Sequence, residues 1–176
     1  MLRPAPGLAL LERTLLALAL LAPAACGYRL AAGDLRDAGS IAIVTPRNDA
    51  GTPGFEFVVA DALRRELLRR AGSHLAEDPG QAQIVVKGRI LRVQTAPSAY
   101  SSVMLALEYE TSVELELSAQ RGGEVLVAPT RLHEIERHLA SADVEAQAKN
   151  REEALRRIAS VLASRFLDLV GEKVNP

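Results

Sequence analysis

Cys26 is the only cysteine of the 176-residue chain, and its thiol is the one soft nucleophile whose surroundings suggest a use. Arg3 and Arg13 come before or beside an apolar run from Leu15 to Ala22, and the small residues Ala24 and Ala25 stand directly before the cysteine. That order suits acylation of the thiol at a new N-terminus, where each buried methylene adds about 0.8 kcal/mol of anchoring and two or more chains hold stably. The other residues able to do chemistry form weaker sets. His133 and His138, with Glu134 and Glu136, are the one local cluster of metal-ligating types. On a strand the two histidines face opposite sides, so they cannot share a metal without a bulge. Glu108, Glu110, Glu114 and Glu116 recur at even positions, the pattern of a wet strand face paired with cross-strand Arg or Lys rather than of an acid pair. No GxGxxG or Walker phosphate loop is present. The residues predict no catalysis, no metal and no cofactor.

The segment that presents Cys26 reads as a secretory signal over residues 1–25, with a charged start, an apolar centre and a small-residue end. Glu12-Arg13 before the run and Arg29 after it leave too few apolar residues to cross a bilayer, which takes about 20. Two cleavages compete. Cutting before Cys26 gives a lipidated terminus, although Pro23 stands where such signals usually carry an aliphatic residue. Cutting after Ala22-Pro23-Ala24 instead gives a soluble exported protein with a free thiol. A lone thiol in an oxidising compartment has no intrachain partner, which favours acylation. Gly27, in place of an aspartate after the cysteine, favours the outer membrane over retention at the inner one.

Removing residues 1–25 takes away Arg3, Arg13 and Glu12 and leaves 151 residues with 19 basic and 21 acidic side chains. This near balance argues against nucleic acid as a partner, because phosphate neutralisation needs a basic domain. Three Phe, three Tyr and no Trp leave few stacking platforms. A chain of this length forms one domain without disulfides. Residues 26–39 read as the lipidated start and a tether, and residues 40–176 as a single domain.

Ser40 to Val44 is short, β-branched and stopped by Pro46, a first strand. Thr52-Pro53 reads as the cap and first position of a helix over about 54–71, with Phe55, Val59, Ala62, Leu63 and Leu67 on one face and Gly72 as C-cap. After the Asp78-Pro79-Gly80 turn, Ile84 to Val93 is apolar on both faces, an interior strand with a bulge or close backbone approach at Gly88. Apolar and small residues then occupy every odd position from Val103 to Ala119, a half-buried strand far longer than usual that must twist strongly or carry a bulge. Gln120-Arg121-Gly122-Gly123 turns the chain into a partner strand, Glu124 to Leu139, disturbed near Pro129. Asn150 and Glu153 have capping-box spacing for a last helix with Leu155, Ile158, Leu162, Phe166 and Leu169 as its stripe, ending at Gly171; residues 141–149 are either an added helical turn or a loop. The order β-α-β-β-β-α predicts an α+β fold: two helices packed on one face of a mostly antiparallel four-stranded sheet.

The order and spacing of Cys26-Gly27-Tyr28-Arg29-Leu30, Ser40-Ile41-Ala42-Ile43, Pro46-x-Asn48, Asp61 to Leu67, Ala82 to Ile90 and the long hairpin resemble the LptE-like lipopolysaccharide-assembly lipoproteins over nearly the whole chain beyond the signal. The resemblance implies a lipid-anchored outer-membrane protein facing the periplasm. In that role it plugs a β-barrel translocon (LptD-like), assists its assembly and contacts lipopolysaccharide. A ligand with phosphates and acyl chains calls for Arg or Lys beside apolar groups. Lys87 and Arg89 share one face of the second strand and Arg131 and Arg137 one face of the fourth, with Arg92 close by if those strands are neighbours. These five are the candidate lipopolysaccharide-binding residues, to be weighed against simple pairing with the glutamates. Another periplasmic lipoprotein of similar layout, such as a cell-wall synthase activator or an auxiliary subunit of a lipid transporter, is the rival reading; the partner, not the fold, separates them.

Overall fold

The computed structural model describes residues 35, 38–71 and 75–174; Cys26, the signal, Gly72 and His74 lie outside the described residues. The order is β1 (Ile41–Ile43), β2 (Arg47–Asn48), α1 (Phe55–Ala71), β3 (Leu75–Ala76), β4 (Ile84–Tyr100), β5 (Ala106–Arg121), β6 (Glu124–Leu139) and α2 (Val144–Val174). The fold is α+β with two helices, as expected, but the sheet is mixed and six-stranded rather than a mostly antiparallel four. β3, β1, β4, β5 and β6 lie side by side in that order, and β2 pairs with β4 beyond the end of β1. The reason is the connection. A helix between β1 and its neighbours carries the chain back to the starting end of the sheet, so β1 must run parallel to β3 and β4. After Pro46 interrupts pairing, β2 resumes along the same edge of β4, opposite Arg89 and Ile90.

The hairpins β4–β5 and β5–β6 are antiparallel and long. β6 has the bounds its sequence predicts, and its register shifts between Val127 and Thr130, around Pro129. Gly122 and Gly123, at φ 56 and 89, make the two-residue turn, with backbone that matches the right-handed twist of the flanking strands. The expected start of β5 at Val103 is wrong. Val103 and Leu105 sit in the β4–β5 turn and are exposed, because β4 runs on to Tyr100 and uses up the span. The length mismatch is absorbed mainly by β4, which carries extra residues between Ile90 and Arg92 and between Pro97 and Ala99. The first shift moves the core-facing parity of β4 from even positions (Ile84, Val86, Ile90) to odd ones such as Val93.

Gly88 lies opposite Leu117 in this pairing. A Cβ there would fall 2.3 Å from Leu117 Cδ2 and 2.6 Å from the Glu116 carbonyl oxygen, so the close approach expected of this glycine is real.

α1 buries Phe55, Val59, Ala62, Leu63 and Leu67, the face its periodicity predicts. Its start differs: Gly54 takes φ 85 and its carbonyl accepts the Phe57 and Val58 N–H groups, so Thr52 and Pro53 precede the helix instead of capping it. α2 begins at Val144, where Asp143 Oδ1 accepts the Ala146 N–H at 2.7 Å, so residues 144–149 are helical. Asn150 is therefore inside the helix, donating from Nδ2 to the Leu139 carbonyl at 3.0 Å, and is not a cap. Gly171 is buried within the helix rather than ending it. The buried stripe holds Leu155, Ile158, Leu162 and Phe166 and then Leu167 and Val170, with Leu169 only partly covered.

Arg70 joins the helices. Its side chain is 7 % exposed, and it donates to Glu66 Oε1 and Asp168 Oδ1, both at 2.6 Å, and to the Ser164 hydroxyl at 2.8 Å and carbonyl at 3.1 Å. The hydrogen bond from Arg69, reinforced by Arg70, outweighs partial burial and holds the Glu66 carboxyl at about 2.

Candidate functional site

The helices cover one face of the sheet and leave the other to solvent. On the open face β5 presents Glu108, Glu110, Glu114 and Glu116, set between Lys87, Arg89 and Arg92 of β4 and Arg131 and Arg137 of β6. The candidate residues of the two strands are thus one strand apart, with the glutamates between them. One row runs across the sheet as Arg47, Arg89, Glu116, Arg131. Arg89 donates to Glu116 Oε1 from Nη2 at 2.8 Å and from Nε at 3.1 Å; Arg131 approaches Glu116 at 3.7 Å and Glu114 at 3.8 Å. The Arg89 hydrogen bond is the main cause holding the Glu116 carboxyl below its ordinary range, with Arg131 adding to it. Arg137 lies 3.3 Å from Glu110 and 3.8 Å from Glu108, which also accepts from Ser98 Oγ.

Two of the five candidates stand apart. Lys87 is opposite Ser118 and Arg92 opposite Glu114 in the register, both are exposed, and neither forms an ion pair among the described residues. Of the five candidates, three are therefore guanidinium groups already occupied by carboxylates and two are cations open to an incoming anion. Exposed pairs of this kind contribute roughly 0–1 kcal/mol each. A multivalent anion such as a phosphate group can displace them at small cost, since Arg binds phosphate through the same fork that holds a carboxylate.

At the rim of this face the loop after β1 is fixed by its own polar residues. Asn48 donates from Nδ2 to the Thr52 carbonyl at 2.6 Å and to Glu56 Oε2 at 2.7 Å, and its Oδ1 accepts the Ala50 N–H at 3.1 Å. Arg47 makes a forked pair with Asp49, both contacts at 2.8 Å.

The histidines divide as the period of a strand requires. His133 faces solvent opposite Glu114, while His138 is on the helix side opposite Tyr109. The structure also holds a polar chain that sequence reasoning missed. Arg151 Nε of α2 donates to Thr95 Oγ1 at 3.2 Å, Thr95 and Thr111 share a hydrogen bond of 2.9 Å, and Thr111 meets His138 Nε2 at 3.1 Å. His138 stacks on Tyr109 with centroids 5.9 Å apart. Thr111 is fully buried. The signal was present: threonine interrupts the apolar odd positions of β5 at 111, and a buried hydroxyl requires partners. The chain ties β4, β5, β6 and α2 together where the apolar core ends.

Comparison with known proteins agrees with this architecture. A crystal structure of a protein from Xanthomonas campestris is similar at 15% identity and a TM-score of 0.54, covering 76% of this chain and 86% of that one. A putative lipoprotein from Caulobacter crescentus gives 14% identity and 0.51, with 75% and 92% covered. An uncharacterized lipoprotein B from Nitrosomonas europaea gives 11% and 0.50, with 74% and 80% covered. At these identities the likeness is one of fold. No curated protein sequence matches the chain. The family model described as LptE, lipopolysaccharide-assembly, matches residues 38–170, from the entry to β1 to the last turns of α2. The chain belongs to the LptE family.

Proposed function

We propose that this protein is a non-enzymatic lipoprotein on the periplasmic side of the outer membrane, anchored through acylated Cys26. It plugs and assists assembly of the lipopolysaccharide-transport β-barrel, an LptD-like partner, and binds lipopolysaccharide during its insertion. The observation that carries this reading is the family match over residues 38–170, which takes in every strand of the sheet, α1 and α2 as far as residue 170. The open sheet face supports it chemically. Lys87 and Arg92 are the first contacts for lipid phosphates, and Arg89, Arg131 and Arg137 follow by exchanging their glutamate partners for phosphate oxygens.

The test is a crosslinking pull-down from intact envelopes together with the intact mass of the mature chain. Co-purification with a large outer-membrane barrel and the added mass of acyl chains on a chain starting at Cys26 are expected. Recovery of the chain alone under mild detergent, or a mass matching cleavage after Ala24, would count against the partner and the anchor respectively. Lipopolysaccharide binding that survives Lys87→Glu, Arg89→Glu and Arg131→Glu together would remove these residues from the site.

A further inference from the structure

The glutamates of β5 are not equivalent. Glu116 is 18 % exposed, against 34, 35 and 32 % for Glu108, Glu110 and Glu114. Among the described residues it also differs from them in having guanidinium groups on both sides, Arg89 from β4 and Arg131 from β6. The register places these three side chains in one line across the sheet, so the two arginines converge on a single carboxylate.

That carboxylate serves its partners poorly. Nε and Nη2 of Arg89 both donate to Oε1, at 3.1 and 2.8 Å, whereas a guanidinium edge is matched by two oxygens side by side. Arg131 stands 3.7 Å from Oε2 of Glu116 and 3.8 Å from Glu114, beyond hydrogen-bond length, with its side chain 68 % exposed. Arg47, in the same row, shows the contrast: its edge is filled by Asp49 through two bonds of 2.8 Å to separate oxygens. Between Arg89 and Arg131 there is thus one carboxylate for two guanidinium groups, and Lys87 and Arg92 add further positive charge from β4. Toward the other end of the face the balance reverses, because Glu108 and Glu110 share Arg137.

A phosphate group offers what the carboxylate does not. Its oxygens are numerous enough to meet the edge of Arg89 and still reach Arg131, and it carries close to two charges. Exchanging Glu116 for another singly charged anion leaves the charge between the arginines unchanged and adds the cost of immobilising the newcomer. Exchanging it for a multiply charged anion gives each arginine a counter-charge, while Glu116 turns into the water above the open face.

We infer that Glu116 is a resident competitor that sets the specificity of the open face, holding the place between Arg89 and Arg131 and yielding it to a phosphate dianion or a diphosphate but not to a singly charged anion. This rests on the reading of that face as the surface for lipid phosphates, and adds to it the residue that controls entry.

The test uses the full chain in non-ionic detergent, titrated at constant ionic strength with inorganic pyrophosphate or with acetate and followed through the arginine Nε–Hε resonances. Glu116→Gln keeps the size of the side chain and removes its charge. The wild type should bind pyrophosphate and not acetate. Glu116→Gln should bind pyrophosphate about fivefold more tightly, the equivalent of releasing two weak exposed pairs, and should also bind acetate. Adding Arg89→Gln should abolish that gain. Asp61→Asn, which removes a negative charge from the exposed side of α1, should change the affinity by less than about twofold, since salt screens distant charges. An unchanged affinity in Glu116→Gln, an equal gain in Asp61→Asn, acetate binding as tight as pyrophosphate binding in the wild type, or no pyrophosphate binding in either chain overturns the inference. Lipopolysaccharide binding separates it from the reading beneath it. Binding that ignores charge reversal at Lys87, Arg89 and Arg131 removes that reading, whereas binding that those reversals abolish and Glu116→Gln leaves unchanged removes the competitor alone.

Discussion

Arg70→Leu is the most informative single perturbation of the fold, because one side chain joins the two helices through three hydrogen bonds, one of them ionic, and makes a fourth, ionic one to Glu66 of its own helix. The leucine keeps the aliphatic packing of the stem and removes the guanidinium. Glu66 keeps Arg69 as a partner at 2.6 Å, and Asp168, 41% exposed, can rehydrate. The full penalty of about 3–5 kcal/mol for breaking a buried ion pair therefore does not apply. What is lost is one charge-assisted bond to Asp168, one shared bond to Glu66 and the contacts to Ser164. Charged hydrogen bonds contribute about 1.5–3 kcal/mol each and partial rehydration offsets part of that, so the net cost is about 2–3 kcal/mol. For a domain of this size the melting temperature should fall by about 4–12 °C. Thermal unfolding followed by circular dichroism at pH 7 measures it. A double-mutant cycle with Asp168→Asn isolates the interhelix pair, with about 1 kcal/mol of coupling expected. An unchanged midpoint for Arg70→Leu, or no coupling in the cycle, would refute the view that this contact clamps α1 to α2.

Gly88→Ala should destabilise the domain by about 2 kcal/mol or more in urea titrations, because the new Cβ meets backbone at the Glu116 carbonyl as well as the Leu117 side chain. An alanine tolerated without cost would mean that β4 and β5 can separate locally at that point. Acid titration tests Glu66. Its folded value of about 2 lies below the ordinary 4.5, so its contribution is fully present above pH 4.5 and is lost as pH falls toward 2. The loss expected is about 1–3 kcal/mol, and Glu66→Gln should flatten that part of the stability curve; an unaltered pH dependence in the variant would assign the acid transition to other carboxylates.

Much of the fold was legible in the sequence where a local pattern and the tertiary packing agree. Glu124–Leu139 was bounded by a Gly-Gly turn and a change of period, and the buried face of α1 followed from 3.6-residue spacing. Where the pattern failed, a longer-range fact had intervened. Val103 and Leu105 continue the alternation of β5 in sequence, but their pairing partner depends on how far β4 extends. Asn150 and Glu153 have the spacing of a cap, yet the helix starts earlier because Asp143 is placed to accept an N–H. The candidate cations were found by type and spacing, while their pairing states were not, since these depend on which strands are neighbours.

The sequence by itself determined the α+β class, the two amphipathic helices, the glycine turn between β5 and β6, and the glutamate stripe, because each rests on residues within a few positions of one another. Only the tertiary structure decided that β1 is parallel to β4, that the glutamates lie between the arginines of β4 and β6, that Lys87 and Arg92 are the candidates without an ion pair among the described residues, and that Arg151, Thr95, Thr111 and His138 form one chain. Those outcomes are set by strand order and register, which bring together residues tens of positions apart and which side-chain patterns along one strand do not encode.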